Sequence, residues 1–302
     1  RNGGISVMLR QTTVKSGKAN ESTLLRKRLL SGTALALLSG VAFSGLAVLT
    51  PSSAQADDEC GVLTNNGSTD LISCGPTEGQ DGISYPVVQD DLQLNLNGTT
   101  QNATADGVWI SNDAGFGPNI VVYTTQYPGP INPAIFSNDS DPALAVELNE
   151  GGDITLDHDY GAFTNNDEGE GVNLFTSSGD INVNIASGAV INAYDNNGLD
   201  LNAYDGDITV VNAGTVTGDG DGDFVGGNGL FASASGTVDI TNSSMTSMVG
   251  AVNGMEVADS NQVLINNTGG LTVGLGGEGV EINDIYGSSL AQDEASVGII
   301  NT

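Results

Sequence analysis

The sequence predicts an all-β protein that folds as a single-stranded right-handed parallel β-helix. A short glycine-led apolar motif recurs, mostly at intervals of about 25 to 31 residues. Glycine makes up 37 of the 246 residues after residue 56, about 15% against an average near 7%. The apolar residues are mainly Val, Ile, Leu and Ala, in short runs between Gly, Asn, Asp, Ser and Thr. This pattern is typical of many short strands joined by turns, and its regular spacing argues against disorder.

The first 56 residues are predicted to be a signal-peptide region. A basic segment begins at Met8, an uncharged apolar run extends from Leu29 to Leu49, and a small-x-small cleavage site ends at Ala56. We expect translation to start at Met8 and cleavage to follow Ala56, so that the exported form begins at Asp57. An uncleaved membrane anchor is the alternative, because about 21 apolar residues can cross a bilayer.

Residues 57–104 are predicted to form an N-terminal cap. They contain the only two cysteines of the chain, Cys60 and Cys74, which close a loop of about 15 residues. In an oxidising compartment a close, isolated pair is most simply a disulfide, worth about 3 kcal/mol in the chain-entropy model. The alternative is a metal site, which would need more ligands than this segment offers.

Residues 105–302 are predicted to form the β-helix, truncated at its C-terminal end. The motif Gly-apolar-x-apolar begins at Gly107, Gly171, Gly198, Gly229, Gly254 and Gly279, with Ala145 in the glycine position of a further copy. The successive intervals are 38, 26, 27, 31, 25 and 25 residues. A second apolar run follows at 153–156, 180–183, 207–210, 237–240 and 262–265, and a weaker third run at 189–191, 215–217 and 271–273. Three short strands in about 25 residues make one coil of a β-helix.

The alternation within each run explains how such coils would build a core. Each strand would point two side chains inward, and coils stacked at the strand spacing of about 4.8 Å would align them. The aliphatic core would then include Val172, Leu199, Leu230, Met255 and Val280. Asn212, Asn242 and Asn267 would lie at a corner, where Asn tolerates left-handed backbone and can bond to the copy in the next coil. A sandwich or propeller would instead show hairpin turns about every 8 to 12 residues or blade periods of about 40.

The charge distribution excludes whole classes of partner. All seven basic residues lie before residue 29, and Glu21 is the only acid before residue 57, so residues 57–302 carry 36 acids and no Lys or Arg. Proteins bind nucleic acid and anionic lipid by neutralising phosphates with Lys and Arg. Nucleic acid is therefore excluded as a partner, and stability has to come from burial, hydrogen bonds or bound cations rather than salt bridges.

One stretch of the repeats carries a family resemblance. The run Val211 to Gly218 reads Val-Asn-Ala-Gly-Thr-Val-Thr-Gly and is followed by a Gly/Asp turn. With the long basic n-region and the Asp-Asp-Glu-Cys start, it resembles the passenger region of Gram-negative autotransporters, whose repeats often read Asn-x-Gly-Thr-Ile-x-Gly. The resemblance covers about residues 57–300 and is shared by other secreted β-helical proteins. It implies surface display and an outer-membrane β-barrel translocator downstream of Thr302, so that this chain would be an N-terminal fragment.

The cluster Asp157-His158-Asp159 is the only place where acids and a histidine adjoin in sequence. A carboxylate pair here would suit acid/base chemistry on a polysaccharide, and the alternative is a polar corner of one coil. Sugar-cleaving β-helix enzymes generally also use Lys or Arg beside their acids, and this region has neither. No Gly-x-Ser-x-Gly elbow accompanies the histidine, which disfavours a serine protease. We therefore predict no catalytic residues.

The candidate metal ligands are Asp219, Asp221 and Asp223. Carboxylates at alternate positions in a glycine-rich loop match the first part of an EF-hand-like Ca²⁺ site. The later bidentate acid falls at Leu230, so the pattern is incomplete, and the alternative is a solvated insertion. A second set, Asp153, Asp180 and Asp207, recurs at 27-residue intervals and would stack. Like charges about 5 Å apart must splay, protonate or share a cation.

These observations predict an exported, surface-displayed β-helical module with a structural or adhesive role. It requires no cofactor, and Ca²⁺ is the one cofactor that its acids indicate. Its partner would be a cell-surface or extracellular ligand that the sequence does not identify. The alternatives are a secreted β-helical polysaccharide hydrolase or lyase, with convergent acids near Asp157 to Asp159, and the passenger of a two-partner secretion system.

Overall fold

The computed structural model describes residues 60–75, 78–79, 82–97, 100–103, 107–112, 114–125, 133–218, 227–243, 247–274, 277–283 and 296–301. The strands in chain order are β1 Asp70–Cys74, β2 Glu78–Gly79, β3 Ile83–Val88, β4 Leu92–Asn97, β5 Thr100–Ala103, β6 Val108–Asn112, β7 Ile120–Thr125, β8 Ala134–Ser137, β9 Leu144–Leu148, β10 Ile154–His158, β11 Ala162–Asn165, β12 Val172–Thr176, β13 Ile181–Ile185, β14 Val190–Asn192, β15 Leu199–Ala203, β16 Ile208–Asn212, β17 Thr215–Thr217, β18 Leu230–Ala234, β19 Thr237–Asn242, β20 Ser247–Gly250, β21 Asn253–Ala258, β22 Gln262–Asn267, β23 Gly270–Val273, β24 Glu278–Ile282 and β25 Ser296–Asn301. Within these ranges no helix is long and apolar enough to cross a membrane.

The strands form three parallel sheets, and successive strands of the chain enter the sheets in turn. The first sheet contains β3, β6, β9, β12, β15, β18, β21 and β24. The second contains β1, β4, β7, β10, β13, β16, β19, β22 and β25, and the third contains β2, β5, β8, β11, β14, β17, β20 and β23. Each strand pairs with the strand three positions away, which is the pattern of stacked three-strand coils. The predicted parallel β-helix is confirmed.

The stacking begins earlier than residue 105, where we expected a cap to end. Strands β1 and β4 pair in the second sheet, and β3 pairs with β6 in the first. The physical reason is that the glycine-led motif is already present at Gly82, followed by the buried Ile83 and Tyr85. The residues expected to form a cap thus include strands of the solenoid itself.

The glycine position of one repeat also differs from the expectation. Pairing of β9 with β12 aligns Leu144 with Val172, so Ala143, and not Ala145, corresponds to Gly171. The shift is two residues, which leaves the inward and outward faces of the strand unchanged. Alternation alone could not distinguish the two registers, because both bury Leu148 and Val146.

Inward side chains align into columns that run along the solenoid. One column of the second sheet consists of Leu92, Ile120, Ile154, Ile181, Ile208, Val238 and Val263, all with no exposed surface. Each fully buried aliphatic side chain contributes about 1.5 to 3 kcal/mol of transfer free energy. The core is therefore continuous through the coils.

The motif glycines form a column at the corner that precedes the first sheet. A Cβ on Gly171, Gly198, Gly229 or Gly254 would lie 2.7 to 2.8 Å from the carbonyl oxygen of the glycine in the next coil. Real Cβ atoms do not come that close to a backbone oxygen. The repeat therefore requires glycine at this corner, because adjacent coils come too close together for a Cβ atom.

The asparagine column at the end of the second-sheet strands is confirmed. Asn212 Nδ2 donates to Asn242 Oδ1 at 2.8 Å, and Asn242 Nδ2 donates to Asn267 Oδ1 at 2.7 Å. The expected left-handed backbone is wrong, because among the described non-glycine residues only Asn65 and Asp259 have positive φ. These asparagines are strand residues whose buried amides satisfy one another.

Candidate functional site

The outward face of the first sheet carries a row of acids that the sequence analysis did not single out. Strand pairing places Asn173, Asp200, Phe231, Glu256 and Glu281 in one column, one residue per coil. We call this column the acidic face. The signal was present in the repeats, since Asp200, Glu256 and Glu281 occupy the variable position of Gly-apolar-x-apolar.

A row of asparagines holds these carboxylates in place. Asn197 Nδ2 donates to Asp200 Oδ2 at 2.8 Å, and Asn228 Nδ2 donates to Glu256 Oε2 at 2.8 Å. The Oδ1 atoms of the same asparagines face along the solenoid. Asn197 Oδ1 accepts the Asn228 backbone N–H at 2.8 Å, and Asn228 Oδ1 accepts the Asn253 N–H at 3.1 Å. Each asparagine thus joins two coils and orients one acid.

Burial raises the pKa of two carboxyl groups here. Burial is the main cause of the raised pKa of Asp200, opposed by donors from Asn197 and Asn202 and reinforced by the charge of Glu256. Glu170, in the turn before β12, has a raised pKa mainly because of burial, with the Asp200 charge adding to it. Desolvation disfavours the charged form of a carboxyl group. These two are the described acids with a raised pKa.

The acidic face accepts hydrogen bonds and repels anions. Asp200 already receives amide donors on both oxygens, because Asn202 Nδ2 donates to Oδ1 at 2.6 Å. Glu256 likewise receives Asn228 on one oxygen and Asn283 on the other, at 3.3 Å. Carboxylates with this many amide donors are held rigidly, and no Lys or Arg follows residue 28 to offset their charge. The arrangement suits a neutral or cationic ligand rather than an anionic one.

The structure separates the members of the Asp157-His158-Asp159 cluster. Successive residues of β10 point to opposite faces, so Asp157 faces outward while His158 lies in the core with no exposed surface. The His158 ring packs against Phe163, with ring centroids 4.8 Å apart. The histidine is therefore a core residue and does not converge with the neighbouring carboxylates.

Burial keeps His158 neutral, and both of its ring nitrogens have a hydrogen-bond partner. The Val190 carbonyl oxygen lies 3.0 Å from Nε2, so Nε2 carries the proton and donates it. Nδ1 then accepts from the Thr124 hydroxyl, with 2.8 Å between the atoms. Burial lowers the pKa of His158 to about 4, against the smaller raising effect of the Val190 carbonyl.

The three stacked aspartates are placed together, but in a way that the sequence analysis did not foresee. Asp153 Oδ1 accepts the backbone N–H of Asp180 at 2.9 Å, and Asp180 Oδ1 accepts that of Asp207 at 3.0 Å. Each carboxylate thus faces a backbone donor of the next coil. We call this row the aspartate ladder, and it stabilises the start of the second-sheet strands.

The remaining predicted site residues lie in two places. Asp219, Asp221 and Asp223 are outside the described residues. Within the described ranges no group of three His, Cys, Asp or Glu side chains is arranged to hold a metal ion. At the N-terminal end of the solenoid, Cys60 and Cys74 are joined by a disulfide, and Cys74 is the last residue of β1 in the second sheet. The bond ties residue 60 to the first described coil.

No protein-family model, curated protein or solved structure matches this chain.

Proposed function

We propose that this protein is an exported, surface-displayed β-helical passenger, similar to those of Gram-negative autotransporters, that acts as a non-catalytic structural or adhesive module. The observation that carries the proposal is the continuous solenoid, in which one set of three sheets extends from β1 to β25. Such a scaffold presents a repeated outward surface while its core stays uniform. The chemistry of that surface supports contact: it is acidic, rich in amides and without Lys or Arg.

The export part of the proposal rests on residues 1–56. The test is to express the full chain in a Gram-negative host and determine the N-terminus and intact mass of material from the periplasm or medium. We expect a first residue of Asp57. Recovery of the chain with residues 29–49 still attached would contradict cleavage after Ala56 and support the membrane-anchor alternative.

The adhesive part is tested separately from export. Beads coated with the purified protein are incubated with cultured epithelial cells and with extracellular-matrix surfaces, and bound beads are counted. Beads coated with the heat-unfolded protein are the matched control, since they carry the same net charge. We expect retention of the folded protein only. Equal retention of both would mean that charge alone, and not a folded contact surface, causes the binding.

A polysaccharide hydrolase is the second candidate, and the raised pKa values of Glu170 and Asp200 are what favour it. A general acid needs a carboxyl group that stays protonated at working pH. The amide donors on both Asp200 oxygens argue against that role. Release of reducing ends from polysaccharides, abolished by Glu170→Gln or Asp200→Asn, would overturn the non-catalytic proposal.

A further inference from the structure

Tyr204 has an unusual position for a large aromatic side chain. It is the first residue after β15 and is 78% exposed. Strands β12, β15 and β18 end in register at Thr176, Ala203 and Ala234, so the residues that follow them stack as Ser177, Tyr204 and Ser235. The tyrosine thus stands between two serines. Side chains this small leave both faces of the ring open.

A cleft of about 590 Å³ lies at this corner between the first and second sheets. Besides Tyr204 it is lined by Ser177, Asp205, Ser233, Ser235 and Asp259. We call it the Tyr204 cleft. Its volume falls in the range of small-molecule sites, about 300 to 1,000 Å³.

The polar groups of the Tyr204 cleft are available to a ligand. Among the described residues, none of the three serine hydroxyls makes a hydrogen bond, and neither does the tyrosine hydroxyl nor either aspartate carboxylate. The contrast with the acidic face is clear, since Asp200 there is occupied on both oxygens. Asp259 also has a left-handed backbone, with φ 52°. That conformation is uncommon for a non-glycine residue and occurs often at ligand-contacting turns.

This combination fits a sugar ring better than an ion or an apolar ligand. A sugar presents an apolar face of C–H groups that can lie on an aromatic ring, and hydroxyls around its edge that hydrogen-bond to serines and carboxylates. The cleft is too large for a lone ammonium group, and its serine, tyrosine and aspartate oxygens offer hydrogen bonds that a hydrocarbon could not use. Its two carboxylates, with no cation nearby, disfavour uronic, sialylated or sulfated sugars.

We propose that the Tyr204 cleft binds a neutral or amino-sugar unit of a glycan, with the ring stacked on Tyr204 and its hydroxyls bonded to Asp205 and Asp259. This proposal deepens the adhesive role proposed above. It rests on that role for its biological purpose, while the binding of a sugar can be tested without it. It makes the first-to-second-sheet corner, and not the acidic face, the place of contact. Specificity against acidic sugars follows from the two aspartates.

The test is an array of immobilised neutral, amino and acidic glycans probed with the purified full chain, followed by calorimetric titration of the best neutral binder. We expect Tyr204→Ala to raise the Kd about tenfold or more and Tyr204→Phe to change it less than about threefold, since the ring is retained. Tyr160→Ala is the matched control, because Tyr160 is a half-exposed tyrosine outside the cleft. Asp205→Asn with Asp259→Asn is expected to relax the rejection of acidic sugars. Thermal melts of each variant confirm that it is folded.

Two results of the binding measurements would overturn the proposal. One is the absence from the array of any neutral or amino sugar whose binding depends on Tyr204. The other is preferential binding of trilysine, abolished by moderate salt, which would identify a cation site instead. Adhesion gives a third such result: beads coated with Tyr204→Ala protein that adhere like wild type would overturn the cleft as the contact site and leave the wider function standing. Tyr204-dependent sugar binding by a chain that is not exported would leave the cleft standing and contradict the surface-displayed function.

Discussion

The Oδ1 atom of Asp180 accepts a hydrogen bond from the backbone N–H of Asp207, one coil away, at 3.0 Å. The same contact joins Asp153 to Asp180, and Asp207 Oδ1 accepts the N–H of Thr237 at 2.6 Å. A row of like charges would repel, but here each carboxylate faces the positive end of a backbone dipole. Hydrogen bonds of this charge-assisted kind are about twice as strong as neutral ones. The carboxylates therefore work as connectors between coils.

The first prediction concerns this aspartate ladder. Asp180→Ala removes the acceptor of the Asp207 N–H and should lower the free energy of unfolding by about 1 to 2 kcal/mol. Asp180→Asn keeps an acceptor oxygen and removes a charge, so we expect it to cost less. Asp239→Ala is the control, because Asp239 points outward from β19 and makes no ladder bond. Denaturant titration measures all three. Equal stability of the Asp180→Ala and Asp239→Ala proteins would contradict a structural role for the ladder.

The buried asparagine column predicts a larger effect. Asn242 accepts from Asn212 and donates to Asn267 with no exposed surface. Asn242→Ala removes the buried acceptor of Asn212 Nδ2 and the buried donor to Asn267 Oδ1, which should cost about 2 to 5 kcal/mol. Replacing all three asparagines with Ile should cost less than the sum of the three single Ala changes, because the buried amides are removed together and Ile185 occupies the same column in the preceding coil. The cost that remains comes from the Gly214 N–H and the Gly269 carbonyl, which lose their bonds to Asn212 and Asn267. Denaturant titration measures all four variants, and a triple variant that loses as much stability as the three single variants together would contradict coupling within the column.

The third prediction is a pH dependence set by His158. Its pKa is about 4 in the folded protein and about 6.5 when unfolded. As pH falls below 6.5 the unfolded chain binds a proton that the folded protein refuses, so stability is lost down to about pH 4. The loss between about pH 7.5 and pH 5 should be about 2 kcal/mol greater in the wild type than in His158→Gln. Taking the difference cancels the titration of the acids that both proteins share. Parallel stability curves for the two would rule out a neutral buried imidazole.

The glycine column predicts a packing defect. Gly198→Ala would place a Cβ 2.7 Å from the Thr217 carbonyl oxygen and 2.8 Å from that of Gly229, so the coils must separate locally. We expect a loss of about 1 to 3 kcal/mol. Gly75→Ala is the control, because a Cβ there meets no atom within 4 Å. The melting temperatures of the two variants are compared. If Gly198→Ala is as stable as Gly75→Ala, the corner can accommodate a Cβ atom and the close approach does not require glycine.

The fifth prediction concerns cations. The acids after residue 56 have no Lys or Arg to balance them, and a cation that binds the folded chain stabilises it by mass action. Millimolar Ca²⁺ should raise the melting temperature more than NaCl at equal ionic strength. Asp219, Asp221 and Asp223 are the first expected ligands, and the second carboxylate oxygens of the aspartate ladder come next. Equal increases in melting temperature with both salts would mean that charge screening alone is at work. If the larger effect of Ca²⁺ survives replacement of the three loop acids by Asn, the ion binds elsewhere.

Much of the fold could be predicted because each coil of a solenoid repeats a similar residue pattern, so the period is visible in the sequence. The corner glycine and the inward apolar residues recur in most coils, and the buried asparagines recur in three successive coils. The Ala145 register failed because a two-residue shift preserves alternation, and only pairing with β12 distinguishes Ala143. The Asp157-His158-Asp159 cluster shows a related limit of sequence adjacency, since neighbours along a strand point to opposite faces.

The sequence by itself determined the solenoid, its aliphatic core and its wholly anionic character after residue 56, because these depend on periodicity and composition. Only the tertiary structure decided what the polar residues do. Stacking brings Asp180 to Asp207, Asn197 to Asn228 and Tyr204 between two serines, in each case across one coil. A hydrogen bond or a cleft depends on which atoms face each other at about 3 Å, and that is settled by the register between coils.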